Sequence, residues 1–139
     1  MQIKIFDSLP KQAAEIRNDV FIKEQGFESE FDATDSIATH FVAFDDNGSA
    51  IATCRVFWDK KINSFVLGRL AVIKEQRGKG IGAAVVEETL NYVKNMGKKE
   101  LRLHAQCRIT EFYEKLGFAQ FGDIEYEEDC PHIWMKKSI

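Results

Sequence analysis

The sequence contains little of what marks fibrous, disordered, disulfide-linked or membrane-spanning chains. Only 2 Pro and 9 Gly occur among 139 residues, which excludes collagen-like and low-complexity proteins. The cysteines, Cys54, Cys107 and Cys130, are odd in number and widely spaced, so they predict reduced thiols rather than a disulfide framework or a clustered zinc site. No apolar run approaches the ~18–20 residues of a membrane helix. Residues 1–6 lack the pattern of a secretory signal, so we expect a cytoplasmic protein with no membrane partner.

The composition that remains is that of a folded domain. Hydrophobic residues make up 45% and charged residues 29% of a chain long enough for one core, so we expect a single domain over residues 1–139. The net charge of -3 does not favour a nucleic-acid partner. Residues 24–35 and residues 123–129 hold five acidic residues each, and the rest of the chain carries 12 acidic against 19 basic residues. The same protein can therefore bind an anion through its basic part and a cation through its acidic segments.

Apolar spacing predicts the first elements of a mixed structure. Residues 3–6 predict a short strand, and Ser8 is placed to cap a helix whose apolar positions recur at i, i+4, i+7 and i+11 from Leu9. Two apolar runs then flank Asp45-Asp46-Asn47-Gly48. Because Asn-Gly tolerates positive φ, this tetrapeptide predicts the turn of an antiparallel hairpin.

The rest of the chain predicts strands that alternate with helices. A strand is expected over residues 64–72, and Gly68 inside it is typical of a bulge or of close approach by another backbone. The clearest amphipathic helix covers residues 80–96, and alternation over residues 101–105 predicts a strand after it, which implies parallel pairing. A short helix and two strands follow over residues 109–116, 118–121 and 132–136. The expected architecture is a mixed α/β sheet with helices packed on it.

A glycine-rich turn is the most informative stretch of the sequence. Arg77-Gly78-Lys79-Gly80-Ile81-Gly82 opens the long helix and is separated from Leu70-Ala71-Val72 by four connecting residues. Glycines at a helix start let backbone N–H groups converge on a phosphate, and Arg77 and Lys79 add positive charge, so a pyrophosphate is the expected ligand. The spacing fits neither a P-loop nor a dinucleotide fingerprint. A helix start that merely needs flexible φ is the alternative interpretation.

These residues resemble the GNAT superfamily of N-acetyltransferases. Arg77, Gly80 and Gly82 match its Arg/Gln-x-x-Gly-x-Gly/Ala motif after a strand, and Tyr113 with Gly117-Phe118 matches its later tyrosine signature. Further residues resemble the ElaA/YjcF-like branch of the superfamily. They are Arg17, Val20, Phe21, Glu24, Gln25, His40, Ala105, Gln106, Pro131 and His132.

The resemblance implies a fold and an activity. The fold is α/β (α+β), a single-domain GNAT fold whose mixed, mostly antiparallel sheet contains a central splayed parallel strand pair with flanking helices. The activity is acyl transfer from acetyl-CoA, as cosubstrate, to a small-molecule or peptide amine by direct attack, with no metal. The residues implied to bind acetyl-CoA are Leu70, Ala71, Val72, Arg77, Gly78, Lys79, Gly80, Ile81, Gly82 and Ala83.

The resemblance also implies catalytic roles. Tyr113 matches the family's general acid, which protonates the departing thiol. Many relatives place a Glu, acting as the general base, on the strand before Arg69, but this sequence has Val66-Leu67-Gly68 there and so offers no carboxylate. Glu24 and His132, and also His40, are therefore the candidates for the base, with water as a relay. The alternative for each is a structural role, and a nucleophilic Cys107 is not favoured because direct transfer needs none.

The acceptor side is the least specified part of the sequence. In GNAT folds the two acidic segments border this side, so a cationic amine is one hypothesis and ordinary solvated loops are the other. Phe27, Phe31, Trp58 and Trp134 are candidates for an acceptor pocket. Relatives often pair through sheet edges, which makes a homodimer a candidate assembly. The alternative functions are a non-catalytic CoA-binding sensor or interaction module and a nucleotide-phosphate binder.

Overall fold

The structure is a computed structural model that describes residues 1–28 and 30–139. Within this part of the chain the strands are β1 (Gln2–Phe6), β2 (Thr39–Phe44), β3 (Ala50–Asp59), β4 (Ser64–Val72), β5 (Glu100–Gln106), β6 (Ala119–Glu127) and β7 (Cys130–Ser138). The α-helices are α1 (Lys11–Arg17), α2 (Ile81–Asn95) and α3 (Thr110–Lys115). A π-helix (Asn18–Glu24) extends α1, and short 3-10 turns occupy Ala33–Ser36, Lys74–Gln76 and Cys107–Ile109.

The described strands form one seven-stranded sheet in the order β1-β2-β3-β4-β5-β7-β6. All neighbouring strands in it are antiparallel except β4 and β5. The connection between these two strands runs through α2, as a parallel crossover requires. The expected mixed, mostly antiparallel sheet is confirmed.

The parallel pair is splayed, as the resemblance implied. Its pairing stops at Leu67 opposite Leu103, so the second halves of β4 and β5 are not joined to each other. On its other side β4 stays paired with β3, and the register slips by one residue between Gly68 and Ala71. Arg69 has a φ of +54°, which takes up the extra residue as a bulge. The irregularity expected at Gly68 is confirmed.

The hairpin between β2 and β3 has the expected turn. Gly48 has a φ of +81°, in the left-handed region that an L side chain rarely adopts. The Asp45 carboxylate accepts hydrogen bonds from the amides of Asn47 and Ser49, at 2.9 Å each. This side chain therefore satisfies turn amides that the strands cannot pair.

The start of the first helix differs from the prediction. Helix α1 begins at Lys11 after Pro10, and no side chain caps it, so Ser8 as the cap was wrong. Pro10 is the N-cap residue, with an extended backbone (φ -77°, ψ 153°), and its carbonyl accepts the first hydrogen bond of the helix, from the N–H of Ala14. The predicted helical spacing reaches Val20, but the change to a π-helix from Asn18 to Glu24 was not predicted, because a wider turn has no separate signal in a 3.6-residue period.

The second acidic segment is not the loop that the sequence suggested. Strand β6 runs through most of it to Glu127, and only Glu128 and Asp129 form the turn to β7, both with positive φ. Charged side chains are typical of an exposed edge strand, where they discourage pairing with another chain. Residues 118–121 were predicted as a strand, but its continuation to Glu127 was not, because Gly122 interrupts the pattern and the residues beyond it are exposed and mostly acidic.

Two apolar clusters hold the helices on the sheet. The larger one joins Val85, Val86 and Val93 of α2 to sheet residues such as Phe41 and Leu101. The smaller one joins Ile16 of α1 and Val20 and Phe21 of the π-helix to Ala71 of β4. The π-helix is thus packed beside the splayed half of β4. Within the described part of the chain, no helix combines the length and apolar character required to cross a membrane.

We expect Leu101→Ala to be strongly destabilising. Leu101 is fully buried in the larger cluster and pairs with Phe65 where β4 and β5 are still joined. Its loss leaves a cavity worth about 2–5 kcal/mol of unfolding free energy, measurable by urea denaturation. Ile124→Ala, which truncates an exposed residue of β6, should change stability by no more than about 0.5 kcal/mol. Similar losses of unfolding free energy in the two variants would contradict the placement of Leu101 in the core.

Candidate functional site

A cavity of about 470 Å³, here called the inner cavity, lies where β4 and β5 separate. Both splayed strands contribute to its wall, together with α3, the π-helix and β7. Wall residues include Phe21, Gly68, Leu70, Leu103, Ala105, Tyr113, His132 and Trp134. The unpaired strand edges and a Tyr therefore border one space, which is the arrangement that the resemblance implied.

The glycine-rich turn at residues 77–82 presents free backbone donors. Gly78 and Gly80 have φ values of +79° and +78°, and a Cβ at either position would meet only open space. No hydrogen bond within the described chain takes up the N–H of Gly78, Lys79 or Gly80. Because the first amides of α2 also lack intrahelical partners, these donors are available to an anion. Gly82 differs, since a Cβ there would come within 3.3 Å of the Phe112 ring.

Arg77, predicted to bind pyrophosphate, is held by protein groups. Its Nε donates to the carbonyl of Val72 at 2.9 Å, and its two Nη atoms donate to the Glu24 carboxylate at 2.5 and 2.8 Å. The hydrogen bonds from Arg77 lower the pKa of Glu24, and the same pair raises the pKa of Arg77. Glu24, a candidate base, is thus a paired carboxylate with little tendency to accept a proton.

Tyr113 lies on α3 between the rings of Phe112 and Phe118 and is 4% exposed. Its hydroxyl makes no hydrogen bond to another described residue. Burial raises the pKa of this phenol well above its ordinary value. The group therefore keeps its proton at neutral pH, as a general acid must.

His132 is buried at the start of β7 and has a partner at each ring nitrogen. Nδ1 donates to the carbonyl of Cys130 at 2.9 Å, and Nε2 lies 2.9 Å from the Glu127 carboxylate. Burial favours the neutral ring, but the hydrogen bonds to Glu127 and Cys130 outweigh it and raise the pKa of His132. The ring thus holds its proton more firmly than a free imidazole does.

His104, expected to be structural, extends this cluster. Its ring stacks on Trp134 at 4.8 Å and on His132 at 5.1 Å between centroids, and all three rings line the inner cavity. Hydrogen bonds from both histidines lower the pKa of Glu127 far below its usual range. Sequence reasoning missed Glu127, because only the register of β5, β6 and β7 brings it beside the two histidines.

Most of the first acidic segment is neutralised by arginine. Glu30 and Asp35 pair with Arg17, Asp35 and Asp32 pair with Arg55, and Glu30 and Asp32 pair with Arg69. Three carboxylates therefore face three guanidinium groups. The segment is neither the solvated loop nor the free acidic surface that the sequence suggested, because arginines distant in sequence pack against it.

His40 belongs to the same buried cluster rather than to the cavities. Its Nε2 is 3.0 Å from the carbonyl oxygen of Asp35, and burial lowers its pKa. Neither His40 nor Cys107 is part of the wall of the inner cavity. Of the aromatic candidates, Phe27 and Trp134 line the inner cavity, but Phe31 and Trp58 do not.

A second space of about 710 Å³, the outer cavity, adjoins the inner one. Phe27, Gln106 and Glu128 line both. Gln106 donates from Nε2 to Oε1 of Gln25 at 2.9 Å across this boundary. The remaining wall of the outer cavity is formed by Glu24, Gly26, Glu28, Arg108, Asp129 and Cys130. Carboxylates outnumber arginine there.

Comparison with known proteins identifies the family. The family model described as an acetyltransferase (GNAT) domain matches residues 7–139. A Bacillus subtilis (strain 168) protein named as an acetyltransferase is 33% identical over 132 residues, which cover 90% of this chain and 86% of the relative. The N-acetyltransferase YjcF of the same organism is 28% identical over 130 residues, 91% of either chain.

Solved structures give the same fold. Escherichia coli ElaA has a TM-score of 0.86 over 98% of both chains at 24% identity. An aminoglycoside 6'-N-acetyltransferase complexed with coenzyme A has a TM-score of 0.78 over 99% of this chain and 97% of that chain, at 19% identity. The resemblance to the superfamily and to its ElaA/YjcF-like members is confirmed.

We expect Asp35 to make the protein sensitive to acid. Burial raises the pKa of Asp35, but hydrogen bonds from Arg17 and Arg55 outweigh it and lower the pKa to about 2. An unfolded Asp has a pKa of about 3.9, so this stabilisation is complete above about pH 5 and is lost as the pH falls toward 2. Urea denaturation should show a loss of about 2 kcal/mol over that interval.

The variant Asp35→Asn separates this effect from general acid denaturation. It should be less stable at pH 7, because it leaves buried guanidinium groups without a full partner, and its stability should fall less steeply in acid. Asp123→Asn, which removes an exposed acid from β6, controls for the change in net charge. Parallel curves for wild type and Asp35→Asn would contradict the assignment.

Proposed function

The chain belongs to the acetyltransferase (GNAT) family and is an N-acetyltransferase, and from this premise we propose that it moves the acetyl group of acetyl-CoA directly to an amine bound in the inner cavity. The observation that carries the proposal is the separation of β4 from β5 beyond Leu67 and Leu103. The glycine-rich turn follows one of the freed strands, and Tyr113 lies in the wall between them.

The residues at the turn suit the diphosphate of CoA. Free amides at Gly78, Lys79 and Gly80, together with the amides of Ile81, Gly82 and Ala83 at the start of α2, supply donors and the positive end of the helix dipole. Arg77 and Lys79 supply charge. Leu70, Ala71 and Val72 offer the unpaired edge of β4 to the pantetheine arm, whose thioester supplies the activated acetyl group.

The transfer needs a donor at the carbonyl oxygen and an acid at the sulfur. An N–H from residues 70–72 would donate to the carbonyl oxygen as negative charge develops there. The departing thiol has a pKa of about 8.5. Burial makes Tyr113 a weaker acid than a free phenol, but it keeps the hydroxyl protonated and it lies in the wall of the cavity, so the phenol is the group placed to donate a proton to the sulfur. The direct attack uses no protein nucleophile and no metal.

His132 is the best supported of the three candidate bases, since His40 lies outside the inner cavity. It shares the inner cavity with Tyr113, whereas Glu24 lies in the outer cavity and is paired with Arg77. Nδ1 donates to the Cys130 carbonyl, and Nε2 of the charged ring donates to Glu127, so His132 would act as the base from its neutral state, in which Nε2 carries no proton. Glu127, 2.9 Å from Nε2, would then stabilise the imidazolium.

A cationic amine is the acceptor class that the charges favour. The outer cavity leads to the inner one, and Glu24, Glu28, Glu128 and Asp129 line it against Arg108. The first acidic segment contributes less to this field than its composition suggested, because Glu30, Asp32 and Asp35 are paired with arginine. Attraction would therefore come mainly from other carboxylates of the outer cavity, such as those of Glu28 and Asp129.

Replacing Tyr113 tests the acid. We expect Tyr113→Phe to lower kcat about 10²- to 10³-fold with little change in affinity for acetyl-CoA, because only the proton donor is lost. The measurement is CoA release in the presence of a panel of amines. It is made on the wild type first, to find an amine that is turned over, and then on the variants. Tyr126→Phe, which changes an exposed Tyr of β6, should behave as wild type does. Unchanged turnover of Tyr113→Phe would rule out this acid, and CoA binding by wild type without turnover would favour a CoA-binding module.

Replacing Lys79 tests the diphosphate cradle. We expect Lys79→Ala to weaken CoA binding about three- to tenfold at low salt, with a smaller effect at high salt, as measured by calorimetry. Lys60→Ala removes an equally exposed Lys after β3, away from the turn, and corrects for net charge. The cradle would be wrong if the two variants lost affinity equally.

A further inference from the structure

Two adjacent residues at the end of the π-helix connect the two splayed strands. Glu24 binds Arg77, and Arg77 in turn binds the carbonyl of Val72 at the last residue of β4. Gln25 accepts a hydrogen bond from Gln106, the last residue of β5. The pair Glu24-Gln25 therefore spans the open end of the cleft, with Glu24 on the cofactor side.

Glu24 is shared between the regions assigned to the two substrates. Its carboxylate is bound to the arginine of the glycine-rich turn, and its side chain also forms part of the wall of the outer cavity. The side chains of Glu24 and Arg77 are 38% and 39% exposed, so solvent and solutes can reach the pair. A half-exposed ion pair of this kind contributes little to stability and exchanges partners readily.

We propose that Glu24 is a positioning residue that occupies Arg77 in the free protein, is displaced from it by the diphosphate of acyl-CoA, and then offers its carboxylate to a cationic acceptor in the outer cavity. The inference rests on the proposed function. A carboxylate and a diphosphate compete for the same guanidinium donors, and the diphosphate carries more charge. The hydrogen bond from Nε of Arg77 to Val72 keeps the guanidinium at the turn whichever anion it binds.

The opposite role makes the opposite prediction. If Glu24 served to orient Arg77 toward the phosphates, its removal would weaken CoA binding, because Arg77 would lose its preferred geometry. If Glu24 competes with the phosphates, its removal strengthens CoA binding. The sign of one measured change therefore separates the two roles.

The experiment is a calorimetric titration of CoA into wild type, Glu24→Gln and Glu28→Gln. Glu28 is the matched control, since it lines the same cavity and its side chain is not bound to Arg77. We expect Glu24→Gln to bind CoA about two- to fivefold more tightly than Glu28→Gln does at low salt, and the difference to shrink as salt is raised. Affinity equal to or weaker than that of Glu28→Gln overturns the inference. Wild type that binds no CoA overturns the proposed function instead.

A second titration tests the transfer of the carboxylate to the acceptor side. Cadaverine, a simple diamine, is titrated into wild type and Glu24→Gln, each with and without saturating CoA. We expect the CoA-loaded wild type to bind the diamine about two- to fivefold more tightly than the loaded variant, with no difference between the unloaded proteins. Equal affinities of the loaded proteins overturn this part. If Glu24→Gln does not fold, Glu24→Asp, whose shorter side chain weakens the bidentate pair, must bind CoA more tightly than wild type.

Discussion

The early end of pairing between β4 and β5 is the constraint on which the site depends. Strand β4 remains attached to β3 and strand β5 to β7, so neither can move to close the gap beyond Leu67 and Leu103. The bulge at Arg69 turns β4 away at that point. Strand edges left unpaired inside a protein need partners, and an extended arm of a ligand can supply them. The cleft is thus a consequence of sheet geometry before any side chain is considered.

Buried ion pairs hold the segment of residues 30–35, which lies along one side of this cleft. Arg17 of α1 and Arg55 of β3 are almost fully buried, and both bind Asp35, while Glu30 bridges Arg17 and Arg69. Such pairs add little net stability compared with apolar packing, but a mispaired partner costs several kcal/mol. The network therefore favours one position of the loop over others, and this position forms part of the wall of the inner cavity.

The π-helix links the glycine-rich turn to the outer cavity. Its wider turn ends with Glu24 beside Arg77, followed by Gln25 beside Gln106, while Val20 and Phe21 are packed in the smaller cluster near β4. π-Helical turns occur often at functional sites, where they direct side chains that a regular helix would direct elsewhere. The placement of Glu24 between the glycine-rich turn and the outer cavity follows from this local geometry.

Local pattern in the sequence determined the strands before residue 73, the long helix α2, the Asp45-Gly48 turn and the glycine-rich turn, because periodicity and glycine conformation act over a few residues. It also carried the resemblance to the family. Tertiary structure alone decided that Glu24 binds Arg77, 53 residues away, that Gln25 binds Gln106, 81 residues away, and that the first acidic segment is neutralised. Charge composition is additive along the chain, but pairing depends on which side chains the sheet order brings together, and no short stretch of sequence contains that information.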